Sequence, residues 1–144
     1  MKRILLSIFA ICFCFATSCA GPDKPIAVSQ LPAAAQTFIK TNFPSEKVSH
    51  AFVDEGFSTE YEVYFENGNQ IEFDKNGQWK EVKCVMGKVP AKIIPANISK
   101  YISQYFSETD IVKIKKDRRG YEVELRNDIE LEFDLNGNFV KMDD

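Results

Sequence analysis

Glu60, Glu62 and Glu72, followed by Glu122, Glu124, Glu130 and Glu132, form two groups of closely spaced carboxylates. Paired carboxylates can divide general acid and general base work, one held protonated and the other ionised. That division requires one carboxyl with a raised pKa in a pocket, beside a reacting group. Strand alternation instead places these glutamates on an open sheet face, with Tyr64, Gln70 and Lys80 among them and Arg126 and Lys141 nearby. Such a face supplies neither burial nor a nucleophile. Two readings remain: a solvated surface with cross-strand charge pairs, and an acidic recognition surface with aromatic anchors for a basic partner. Glu62, Tyr64, Glu72, Trp79, Glu122, Glu124 and Glu132 are the candidate binding residues, and no catalytic set is identified.

Other residue types carry less. Asp74-Lys75-Asn76-Gly77 and Asp134-Leu135-Asn136-Gly137 set hard oxygen ligands at alternate positions, as calcium takes them, but no bidentate glutamate follows in register. Asp and Asn before Gly is also what a turn with a left-handed residue requires, and both segments read as turns. His50 is the single histidine, without the Cys or carboxylate spacing of a metal site, so neither metal nor cofactor is expected. Cys84 lacks an activating neighbour and reads as a small, half-buried strand residue. Trp79 and its counterpart Phe139 fit core packing, and Trp79 also fits a partly exposed anchor. Lys113, Lys115, Lys116, Arg118 and Arg119 form a basic patch that suits a solvated edge. Contact with anionic lipid or an acidic partner is the alternative for it.

The elements that position these residues occur twice. Tyr61-Glu62-Val63-Tyr64-Phe65 leads through Asn67-Gly68 to Ile71-Glu72-Phe73-Asp74 and a second turn at Asn76-Gly77. Tyr121-Glu122-Val123-Glu124-Leu125 and Leu131-Glu132-Phe133-Asp134 repeat it in register (121 − 61 = 134 − 74 = 60). Apolar alternation and the Asn-Gly turns predict a β-meander. A helix precedes each meander, over 31–43 and 94–106, with proline in its first turn and one apolar face. The helices are offset by 63 (94 − 31) and the strands by 60, so the second copy is shorter by three residues between its first two strands. The expected fold is α+β: a tandem duplication of a helix plus a four-stranded antiparallel meander, over 28–85 and 88–142, forming one eight-stranded sheet with both helices on one face. The other face would meet solvent, which antiparallel sheets tolerate.

Residues 1–20 read as an export signal: Lys2-Arg3, an apolar run from Ile4 to Phe15, then small residues. Ser18-Cys19-Ala20 fits cleavage to a soluble chain. Ala16-Thr17-Ser18 before Cys19 also resembles a loose lipoprotein box, and we prefer cleavage before Cys19 with lipidation there. Residues 20–25 would then form a tether, and the membrane would be met only through that anchor. Cys12 and Cys14 fall in the signal, which leaves Cys84 alone and excludes a disulfide framework. The chain has 144 residues, enough for one core without crosslinks. A net charge of −3 argues against nucleic acid as a partner.

The pattern Tyr-Glu-Val-x-Phe/Leu, then Glu-Phe-Asp-x-Asn-Gly-x-Trp/Phe, after a Leu-Pro or Ile-Pro helix, resembles the PepSY-like, β-lactamase-inhibitor-like proteins of Bacteroides-type bacteria. The resemblance spans residues 28–142 in both copies. It implies a tandem α+β fold like that of the β-lactamase inhibitor protein, in the periplasm or anchored at the outer membrane. These observations give the expectation of an exported, non-enzymatic protein that binds a protein or peptide in the cell envelope through its exposed sheet face and loops. The rival expectations are a small-ligand or sensor domain with an apolar pocket, and an inhibitor of an envelope hydrolase acting through a protruding loop at 54–58.

Overall fold

The computed structural model describes residues 23–143; the segment read as an export signal, with Cys12, Cys14 and Cys19, lies outside the described residues. The described strands form a single antiparallel sheet in chain order: β1 (Lys24–Ile26), β2 (Val48–Glu55), β3 (Thr59–Phe65), β4 (Gln70–Asp74), β5 (Trp79–Lys83), β6 (Ile111–Lys116), β7 (Gly120–Leu125), β8 (Glu130–Asp134) and β9 (Phe139–Asp143). Helix α1 (Ala33–Asn42) precedes β2, and α2 (Ala96–Tyr105) precedes β6. The α+β architecture expected from the repeat is therefore present, with nine strands in place of eight. The ninth is β1, read from the sequence as tether and lead-in. Its Pro25 masks the strand pattern, but Pro25 stands opposite Phe52 on a sheet edge, where a missing N–H costs no ladder bond.

Both helices begin two residues later than their apolar pattern. Pro32 and Pro95 occupy the N-cap positions, and short 3-10 turns at Val28–Gln30 and Ala91–Ile93 lead in. One helical face is buried in each: Ala35 and Ile39 in α1, Ile98 and Ile102 in α2. These meet Val63, Ile71 and Phe73 in the first repeat and Val123, Leu131 and Phe133 in the second. The duplication extends to ring geometry. Phe38 meets Phe73 edge-on at 5.6 Å, and Tyr101 meets Phe133 edge-on at 5.5 Å. Such pairs contribute about 1 kcal/mol beyond area burial.

The Asn-Gly turns dock against the helix starts. Gly77 has φ +76°, and a Cβ there would fall 2.8 Å from the Ala35 backbone nitrogen and 2.8 Å from Pro32 Cβ. Gly137 has φ +78° and less crowding, with Asn97 Cβ at 3.0 Å. A side chain would be strained by the left-handed backbone and would also push the helix away.

The three extra residues of the first repeat lengthen a hairpin rather than a loop. The β2–β3 pairing continues through Asp54↔Glu60 to Glu55↔Thr59, whereas β6–β7 ends at Lys116↔Tyr121, the counterpart of Val53↔Tyr61. Phe57 is carried out at the tip, fully exposed.

Candidate functional site

Face assignment is decided by bulges as well as by alternation. Simple period-two reading places Val48, His50 and Phe52 together. The register slips between Val48 and His50, so Val48 packs on the core while His50 and Phe52 emerge on the outer face. Val48 and Phe52, which simple alternation would set on one face, therefore lie on opposite faces: the unpaired Ser49 reverses the alternation. A second slip, between Glu72 and Phe73 on β4, opposes Phe73 to Trp79. Lys80 then reaches Glu60 at 2.6 Å on the outer side, and Trp79 packs beside Phe38, ring centroids 6.5 Å apart. Trp79 therefore belongs to the helix face and does not join the other candidate residues.

Those others do converge. Register aligns Phe52, Glu62, Glu72, Glu81, Lys115, Glu122, Glu132 and Lys141 in one continuous row across the outer face. The adjacent row runs His50, Tyr64, Gln70, Lys83, Lys113, Glu124, Glu130 and Asp143. In the first repeat, Glu62, Glu72 and Glu81 stand side by side on three strands, and none makes an ion pair among the described residues. Like charges directly opposite are unfavourable. Burial, then the Glu81 carboxylate beside it, pushes the Glu72 carboxyl above its usual range. Glu60 is held low, chiefly by the hydrogen bond from Lys80.

An aromatic group closes the other side of this carboxylate row. Tyr64 stacks on His50 with centroids 4.8 Å apart and meets Phe52 edge-on at 6.0 Å. The Tyr64 hydroxyl donates to Glu62 Oε2 at 2.7 Å, which pushes the phenol pKa up to about 12. Tyr64 is thereby pinned as a neutral, partly exposed ring next to the acidic row.

The second repeat neutralises the same positions. Lys113 lies 3.7 Å from both Glu122 and Glu124, and Lys141 lies 3.1 Å from Glu132. Burial alone would lower the Lys113 pKa; the surrounding Glu81, Glu122, Glu124 and Glu130 reverse that, and the net shift is upward. Glu122, Glu124 and Glu132 thus sit within ion pairs, unlike Glu62 and Glu72.

The turn carboxylates are committed locally. Asp74 Oδ1 accepts from the Asn76 and Gln78 backbone N–H groups at 2.8 and 2.9 Å, and Asp134 Oδ1 accepts from Asn136 and Asn138, both at 2.9 Å. Among the described residues, no group of three His, Cys, Asp or Glu is placed to hold a metal ion. Cys84 is fully buried rather than half-buried, because β6 covers the far side of the chain after β5; burial raises its thiol pKa to about 11. Phe52, Glu81 and Phe57 were not singled out from sequence. Glu81 was legible in the alternation back from Val82, whereas Phe52 was hidden by the bulge and Phe57 by the hairpin extension.

Residues 19–53 and 59–141 match a family described as "Putative beta-lactamase-inhibitor-like, PepSY-like". The chain belongs to the PepSY-like family. No curated protein matches it. Three solved structures resemble it closely. A Bacteroides thetaiotaomicron protein, described as "a putative calcium-regulated periplasmic protein", shares 46% identity with a TM-score of 0.83, covering 85% of this chain and 97% of its own. A Bacteroides vulgatus protein described as "a putative periplasmic protein from DUF2874 family" shares 44% identity with a TM-score of 0.83, covering 87% and 99%. Another Bacteroides vulgatus protein, "a putative periplasmic protein of unknown function", shares 35% identity with a TM-score of 0.82, covering 85% and 100%. No helix among the described residues of the PepSY-like chain is long and apolar enough to cross a membrane.

Proposed function

We propose that this PepSY-like protein is an exported, non-enzymatic binding protein whose first-repeat outer face holds a basic segment of a protein or peptide in the cell envelope. The observation that carries this reading is the row Glu62–Glu72–Glu81, left without ion-pair partners among the described residues and bordered by Tyr64, Phe52 and His50. Repulsion within that row is relieved when a lysine or arginine arrives. The aromatic rings supply apolar contact for the aliphatic stem of such a residue. The periplasmic descriptions of the similar Bacteroides proteins support export, and Cys19 is the proposed lipid anchor. Calcium regulation, stated of the B. thetaiotaomicron protein, is not part of the proposal, since the Asp74 and Asp134 carboxylates already cap their own turns.

The inhibitor reading has one observation of its own, the fully exposed Phe57 at the tip of the extended hairpin. A small-ligand reading rests on an open cleft of about 310 Å³ between α2 and β6, lined by Val89, Ile94, Ile102 and Phe106 and rimmed by Lys88 and Asp110.

The test is capture from envelope extract with the chain from residue 21, at low and high salt, against three variants. Glu62, Glu72 and Glu81 changed together to Lys should abolish retention of a salt-sensitive partner. The same change at Glu122, Glu124 and Glu132 should leave retention largely intact. Loss with Phe57→Ala alone would transfer the reading to the hairpin tip. Hydrolysis that depends on Glu62 would overturn the non-enzymatic assignment.

A further inference from the structure

The two edges of the sheet are finished differently. β1 is three residues long, has Pro25 at its centre, and has Lys24 paired with Glu55. Short length, proline and an edge lysine all discourage another strand from adding. β9 is five residues long, contains no proline, and is exposed at every position. Its apolar side chains lie open: Phe139, Val140 and Met142.

The molecule contains its own measure of what β9 lacks. β9 is the counterpart of β5, and Met142 the counterpart of Val82. Val82 is 0% exposed and Met142 is 51% exposed. The difference is that β6 pairs along the far side of β5, through Glu81↔Lys115 and Val82↔Ile114, while β9 ends the sheet. A core position has been repeated at an edge with no further strand beside it among the described residues.

We propose that β9 is a homodimer interface, in which two copies pair β9 antiparallel about a two-fold axis through Met142. The charges select the register. Lys141 and Asp143 both point to the outer face, opposite Glu132 and Glu130 respectively. Centring the axis on residue 141 would oppose Lys to Lys, and centring it on 143 would oppose Asp to Asp. Centring it on 142 opposes Lys141 to Asp143 of the second copy, twice, and places the two Met142 side chains together on the helix face. Within one chain Lys141 already reaches Asp143 at 2.6 Å and Glu132 at 3.1 Å, and in this register the second copy adds a further opposite charge to each Lys141 and each Asp143. The contact is self-complementary and closes at two chains. It stands on the β9 edge alone and does not rest on the binding reading of the first repeat.

Sedimentation equilibrium of the chain from residue 21 should show the mass rising with concentration from one chain to two, and no further. Asp143→Lys should weaken the dimer roughly tenfold, as two attractive pairs become repulsive. It should leave the monomer folded, because residue 143 is exposed at the sheet edge and the Lys141–Asp143 contact it removes lies between exposed side chains. Lys141→Asp combined with Asp143→Lys restores opposite charges in this register alone and should recover most of the affinity. Met142→Cys should form a disulfide-linked dimer under mild oxidant, since a residue on the axis faces itself within bonding range. Val140→Cys should not. A single-chain mass at all concentrations, growth beyond two chains, no rescue by the double exchange, or equal crosslinking at 140 and 142 would each overturn the proposal.

Discussion

The two repeats share one inner face and have different outer ones. Beneath the helices, Val63, Ile71 and Phe73 correspond to Val123, Leu131 and Phe133, all buried. On the outer side, the row Phe52–Glu62–Glu72–Glu81 corresponds to Lys115–Glu122–Glu132–Lys141. The central pair of glutamates is the same; the flanking residues change from Phe and Glu to Lys and Lys. Packing constrains the inner positions, because a buried side chain must fill a defined volume. The outer positions are constrained by charge alone. The second repeat has there a satisfied surface, and the first a surface with carboxylates in excess.

Three sets of paired substitutions would sharpen or break this comparison. The largest effect is expected in the cores. Phe73→Ala and Phe133→Ala should each cost about 3–5 kcal/mol by denaturant unfolding, since both rings are closed off from solvent and meet a helix ring edge-on. Losses differing severalfold would show that the duplicated geometry does not carry duplicated energetics.

Next come the turn glycines. Gly77→Ala should destabilise by roughly 2–3 kcal/mol and Gly137→Ala by roughly 1–2 kcal/mol, from left-handed strain plus overpacking. The order follows from what a Cβ would meet, a helix backbone nitrogen at 2.8 Å in the first case and a side-chain carbon at 3.0 Å in the second. Thermal unfolding of the two variants gives the comparison directly, and a reversed order would contradict the docking geometry.

The smallest effect bears on the outer rows. Glu72→Gln should stabilise by about 0.5 kcal/mol at neutral pH, while Glu132→Gln should be neutral or slightly destabilising through loss of its Lys141 contact. The pH dependence has a definite sign. Folding raises the Glu72 pKa, so the native chain holds this proton more tightly than the unfolded one. That contribution is fully present below the ordinary glutamate pKa of about 4.3 and is lost as pH rises through the raised value. Glu72→Gln should therefore match the parent in acid and gain on it toward neutrality. Equal behaviour at both sites would mean that the first row is neutralised by contacts the static arrangement does not contain.

Much of this was legible in the residues themselves. Tyr61-x-Val63-x-Phe65 and its copy announced strands with one apolar face, and Asn-Gly marked where they turn, because only a few residue types accept positive φ. The helices followed from proline and a 3.6-residue apolar period. The candidate site was half legible. Glu62, Tyr64 and Glu72 fall on the outer face as the alternation predicts, whereas the side taken by Phe52 was hidden and Trp79 stayed open between core packing and an exposed anchor. In both cases one unpaired residue, Ser49 or Lys80, shifts the register and reverses the alternation beyond it. Nothing local records such a slip, since it depends on which partner the neighbouring strand offers.

The sequence by itself determined the duplicated unit, its turns and the side of the sheet on which most residues fall. These depend on periods and backbone preferences spanning a few residues. The tertiary structure alone decided that β5 and β6 make the joint of the shared sheet, that Lys24–Ile26 adds a strand, and which charges face one another. Neighbours across a sheet are distant along the chain. A glutamate is the same residue whether its opposite is another glutamate, as at Glu72 and Glu81, or a lysine, as at Glu132 and Lys141. Only the register separates a repulsive row from a paired one.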